Sequence, residues 1–113
     1  MASVLIEEIV LNYLTNELDV FVGMQEPEKT DKYVLIEKTG SSRTDYVNSA
    51  TLAIKSHANS LHDAAVLNEE VKKAMDNIIA LNEISKVKLN TDYNFTDTTK
   101  KKYRYQAVYD LVY

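Results

Sequence analysis

The chain has no cysteine and no tryptophan, and only two glycines and one proline among its 113 residues. Without cysteine, no disulfide can staple the fold and no thiolate can ligate a metal. So few glycines and prolines leave little room for long irregular linkers. No apolar run approaches the ~20 residues that a membrane-spanning helix needs, so no membrane partner is expected. Basic residues are the minority: 13 Lys and Arg against 17 Asp and Glu, for a net charge of −4. A general nucleic-acid binder needs a basic face to displace counterions from phosphates, so specific nucleic-acid binding is not expected. Glu7 and Glu8 lie where a secretion signal needs a basic start, so none is expected.

What remains has the balance of a folded domain. The sequence is 45% hydrophobic and 27% charged, whereas a disordered chain has fewer apolar residues and a larger charge excess. The length predicts one domain over residues 1–113, since domains typically hold ~100–150 residues.

The stretch "SVLIEEIVLNYLTNEL" places Ile6, Ile9, Val10, Tyr13 and Leu14 at spacings of three and four. That stripe predicts a helix over roughly 3–17, with Ser3 as its N-cap. A short β-like run at 20–24 follows, then a polar loop around Pro27. "KYVLIEKT" reads as a strand, "GSSR" as a bend, and "DYVNSATLAIKSHA" as a second strand. Tyr46, Ala50, Leu52 and Ile54 share one face of that strand.

"NSLHDAAVLNEEVKKAMDNIIALN" is the clearest helix. Ser60 and Asp63 resemble a capping box. Ala64, Leu67, Val71, Ala74, Met75 and Ile78 form its apolar stripe, and Glu69 with Lys73 forms an i,i+4 pair. "ISKVKLNTDYNF" and "YRYQAVYDLVY" are strands around a polar turn, "TDTTKKK". In the last strand Tyr103, Tyr105, Ala107, Tyr109, Leu111 and Tyr113 alternate with Arg104, Gln106, Val108, Asp110 and Val112. The element order α-β-β-β-α-β-β, with short turns between strands, predicts an α+β fold. Its sheet is mainly antiparallel, with about four to five strands packed with two helices.

Chemical signals are sparse. "KTGSSR" has one Gly, no following Lys, and a strand rather than a helix after it. A phosphate loop needs two glycines and a helix start, so the expectation is a hairpin bend with Gly40 at positive φ. His57 and His62 are the only histidines, and five residues apart suits no metal pair on one helix. A His beside Asp63 could serve as a base, but no nucleophile is framed for it. Glu7/Glu8 and Glu69/Glu70 are adjacent pairs whose side chains diverge on a helix, so they read as solvated faces. No catalytic, cofactor or metal site is expected. The tyrosine stripe has two readings: a core face whose hydroxyls reach the rim, or an interface.

Four segments together carry a likeness. "YVLIEKTG", "SATLAIKSHANSLHDAAVLNEEVKKAM", "VKLNTDYNF" and "KKYRYQAVYDLVY" resemble the tail-completion, or tail-terminator, proteins of long-tailed bacteriophages with non-contractile tails. The pattern is an N-terminal helix, a strand ending E-x-T-G, a strand ending S-x-A, a helix with paired alanines, and a late R-Y strand. It spans nearly the whole chain. The resemblance implies a small sheet with two helices and no catalytic residues. It implies a homo-oligomeric ring, usually of six subunits, on the head-proximal end of the tail tube. That ring would stop polymerisation and offer a joining surface. The implied partners are other copies, the tail-tube protein and the head-completion or connector protein. The implied place is the virion tail, assembled in the host cytoplasm. Tyr103, Tyr105 and Tyr109, with Arg43 and Lys101, are then the candidates for contacts between subunits. The rival reading is a small ligand-binding α+β domain or an enzyme using His57, His62 and Asp63.

Overall fold

Ser60 fixes where the longer helix begins. Its Oγ accepts a hydrogen bond from the Asp63 backbone N–H at 3.1 Å, which satisfies one of the free donors of the first turn. The helix that follows, α2 (Leu61–Asp76), buries Ala64, Leu67, Asn68, Val71, Ala74 and Met75. Ile78, the last residue of the expected stripe, is also buried but lies just beyond, in a 3-10 turn at Ile78–Ala80. These positions come from a computed structural model that describes residues 5–28, 30–45, 47–100 and 102–113.

The other helix, α1, runs from Ile6 to Glu17 and buries Ile6, Val10 and Leu14. It starts at the first residue of its apolar stripe, later than the expected residue 3. Its N-cap is Leu5, which makes no side-chain cap bond, and Ser3 lies outside the described residues. Two acids in the first turn, Glu7 and Glu8, interact favourably with the helix dipole. The Tyr13 hydroxyl donates to the Ala74 carbonyl at 2.7 Å, tying α1 to the last turn of α2.

Five strands form one sheet in the order β1-β2-β3-β5-β4. They are β1 (Phe21–Gly23), β2 (Tyr33–Thr44), β3 (Val47–Ala58), β4 (Lys86–Asn94) and β5 (Tyr103–Val112). Only the β1–β2 pair is parallel. The sequence of elements, two helices among five strands, makes this an α+β fold.

The bend expected at Gly-Ser-Ser-Arg is not there. β2 runs straight through it, with Gly40 opposite Thr51 and Arg43 opposite Asn48. Gly40 has no positive φ. The chain reverses at Thr44–Val47 instead, where Asp45 has φ 51°, a left-handed conformation that Asp tolerates well. The segment stays extended because β3 offers a paired ladder along its full length. The one irregularity is a bulge at Thr39, between the pairs Lys38↔Leu52 and Gly40↔Thr51. Strands of 12 residues at ~3.3 Å per residue reach ~40 Å, in keeping with the long axis of 45 Å.

Both helices pack on one face of the sheet. That face carries Val34, Ile36, Ala50, Leu52, Ile54, Ala107, Tyr109 and Leu111 against Ile6, Val10, Leu14, Leu67, Val71 and Met75. The alternation on β5 is as its sequence predicts, with Ala107, Tyr109 and Leu111 buried. Among the described residues no helix lies over the opposite face. That face presents rows such as Tyr33–His57–Arg104 and Leu35–Lys55–Gln106–Tyr93.

The expected Glu69–Lys73 pair is replaced. Lys72 lies 2.8 Å from Glu69 and 3.5 Å from Asp92, so a carboxylate on β4 draws the neighbouring lysine into a shared site. Glu7 is not simply solvated: its side chain is only 17% exposed and lies 3.9 Å from the Lys38 ammonium.

Candidate functional site

Of the residues singled out in the sequence, His57 lies on the uncovered sheet face and Arg43 on the β2–β3 hairpin, whereas Tyr103, Tyr105 and Tyr109 share the helix-side face of β5. At one end of the face His57 is opposite Tyr33 on β2 and Arg104 on β5. The His57 and Tyr33 rings stack with centroids 4.5 Å apart. The Tyr33 hydroxyl donates to Glu26 Oε1 at 3.0 Å, and Glu26 lies 3.8 Å from the Lys102 ammonium. These groups border a polar cleft of about 260 Å³, which also includes Asn59 and Tyr103.

Burial sets the protonation states here. His57 is 8% exposed. Burial, reinforced by the Arg104 guanidinium, lowers its pKa to about 4, so it is neutral near pH 7. Burial and the hydrogen bond to Glu26 raise Tyr33 to about 12. His57 Nε2 is buried without a hydrogen-bond partner among the described residues. Arg104 is held from the far side: its Nε donates to the Phe95 carbonyl at 2.6 Å, and its guanidinium lies 4.4 Å from the Phe95 ring centroid.

His62 and Asp63 do not join this cluster. Both are exposed in the first turn of α2, on the helix side of the sheet, while His57 faces the other side. His57 is set apart from them. It is a buried residue, stacked on a tyrosine twenty-four positions earlier. Among the described residues no group of three or more His, Asp and Glu side chains is placed to hold a metal. No described helix is long and apolar enough to cross a membrane.

The tyrosine stripe divides. Tyr109 is 2% exposed and belongs to the core. Its ring packs with the helices, and burial together with Asp76, Asp92 and Glu69 raises its pKa. In the single chain little of it is available to a neighbour. Tyr103, Tyr105 and Tyr113 are half-buried and retain surface. Arg43 is exposed on the β2–β3 arm, and Lys101 lies outside the described residues.

Sequence reasoning missed a polar link across three strands. Thr51 Oγ1 donates to Asp110 Oδ1 at 2.8 Å, and Asn90 Nδ2 donates to Asp110 Oδ2 at 2.9 Å. Nothing in the linear sequence pairs these residues; only the order β3-β5-β4 does. Alongside this link, every described residue of β2 from Glu37 onward, and Asp45 in the turn, is exposed.

Compared with known proteins, the chain matches no family model and no curated protein sequence.

Proposed function

We propose that this chain is a structural subunit of a phage tail that works as a closed homo-oligomeric ring, with six copies the expected number. The ring sits on the head-proximal end of the tail tube, halts polymerisation and presents a joining surface to the head's connector. The tail-tube protein is its second partner, and the reading requires no catalysis.

The observation that supports this best is the ordered likeness of four segments to tail-terminator proteins. Those segments cover two thirds of β2 and nearly all of β3, α2, β4 and β5. The kind of surface agrees with assembly work. Among the described residues one sheet face carries no helix, the β2–β3 hairpin runs on beyond the last β5 pairing at Ser49, and His57, His62 and Asp63 do not converge on a reacting centre. A ring needs heterologous contacts whose rotation closes, and a sheet with free edges can supply them.

Electron microscopy of particles made without the protein tests the reading. The expected result is tails of uncontrolled length that fail to join heads. Tails of uniform length, correctly ended and attached to heads, would refute it. Mass measurement of the purified protein, alone and with tail-tube protein, reports the ring directly.

A further inference from the structure

Among the described residues the sheet has two long outer edges. On one side, β1 pairs only with Tyr33, Val34 and Leu35 of β2, so Ile36–Thr44 has no outer strand among the described residues. On the other side, β4, nine residues long, has β5 as its only partner strand among the described residues. The free stretch of β2 is equally long. Open edges of this length are ready templates for another chain, and proteins usually shorten or cover them.

Beside β4 the cover is also missing. α2 lies over β3 and β5 and leaves a groove of about 560 Å³ against β4. Val66, Leu89 and Tyr109 line it, and Val66 and Leu89 are 40% and 39% exposed.

We propose that β4 of one copy pairs antiparallel with the free edge of β2 in the next copy, Ile36–Thr44, making the sheet continuous between subunits. β2, β3, β5 and β4 alternate in direction, so the two outer strands point oppositely. Copies related by rotation about an axis along the strands therefore meet antiparallel, and none has to be inverted.

Each edge carries one bulge, at Thr39 on β2 and at Asn90 on β4, and each bulge switches which side of the sheet the following residues face. Matching the stretches end to end sets Ile36 opposite Asn94 and Thr44 opposite Lys86. The two bulges then fall side by side, so both strands switch faces together and every other pair shares one face. Ser41 meets Leu89 on the helix side, at the groove. Lys38 meets Asp92 there, and no like charges lie directly opposite. A register that separates the bulges loses this agreement over part of its length. The edge of β2 is thus complementary to the edge of β4, and the occupant of the groove side is a second copy of this chain.

The inference rests on the ring reading only for closure; the pairing stands on the two edges. Because the chain has no cysteine, introduced thiols report it cleanly. A chain carrying Ser41→Cys and Leu89→Cys, oxidised at high concentration, is expected to give disulfide-linked multimers on a non-reducing gel. Mixing the two single variants is expected to give mainly a 1:1 dimer and nothing larger. Thr44→Cys with Lys86→Cys tests the other end of the same ladder if the first pair disturbs folding. Ser42→Cys with Leu89→Cys sets the thiols on opposite faces and is expected to stay unlinked. Failure of both in-register pairs to link, or homodimers dominating from a single variant, would overturn the pairing. Cross-linking with normal tails in the particle experiment would overturn the tail reading and leave the pairing standing. Defective tails without cross-links would do the reverse.

Discussion

His57 lies flat against Tyr33, with ring planes 13° from parallel. The contact joins the ends of two adjacent antiparallel strands on the uncovered face. It keeps an imidazole dry while Arg104, Lys55 and Lys102 add positive potential and only Glu26 opposes them. A neutral, buried ring with an unpartnered nitrogen contributes packing, and its polar atom works against stability.

Acid should therefore destabilise the fold through His57. The unfolded side chain has a pKa of about 6.5 and the folded one about 4. Between those values the unfolded chain binds more protons, so stability rises with pH there. The contribution is complete above about pH 6.5 and is lost as pH falls toward 4, by up to about 3 kcal/mol. Urea unfolding of wild type and His57→Phe at several pH values measures it. The variant should match or exceed wild type at pH 7 and lose much less between pH 6.5 and 4.5. Parallel pH profiles for the two proteins would contradict the assignment.

Gly40→Ala distinguishes a strand from a bend. In the strand the glycine has ordinary φ, and a Cβ built on it meets nothing within 4 Å. The substitution should be neutral or stabilise by up to about 1 kcal/mol, because Ala loses less freedom on folding. A thermal-denaturation loss well beyond that size would place Gly40 back in a left-handed turn.

Tyr13→Phe probes the tie between the helices. The hydroxyl satisfies the Ala74 carbonyl near the end of α2 at 2.7 Å. Its removal should cost about 1 kcal/mol in denaturant unfolding. Unchanged stability would mean that water replaces the bond without loss.

The parts legible in the sequence are those decided by local rules. Ser60 with Asp63 marks the start of α2, and strict alternation marks β5, because capping and period-two patterning act within a few residues. The path of β2 was not legible beyond Thr39. Gly-Ser-Ser-Arg has weak strand propensity, and it stays extended only because Asn48–Thr51 lies opposite it. Lys72 was hidden for the same reason: Asp92, which draws it toward β4, is remote in sequence. The stack of His57 on Tyr33 likewise depends on the β2–β3 register and on no local signal.

The tyrosines of β5 give a test that separates core from contact surface. Tyr109 is 2% exposed among core side chains, so Tyr109→Ala should cost about 3–5 kcal/mol and lower the thermal midpoint sharply. Tyr103 and Tyr105 are half-buried near the same strand's start. Their change to Ala removes less buried surface, and the single chain should remain folded by circular dichroism. If they serve contacts between subunits or with the tube, those folded variants should nevertheless fail to end tails, since buried tyrosines often carry interface energy. Particles assembled with Tyr105→Ala and examined by electron microscopy decide the matter. Correctly ended tails from a folded Tyr103→Ala, Tyr105→Ala double variant would remove both residues from the contact surface and leave the strand edges to hold the ring.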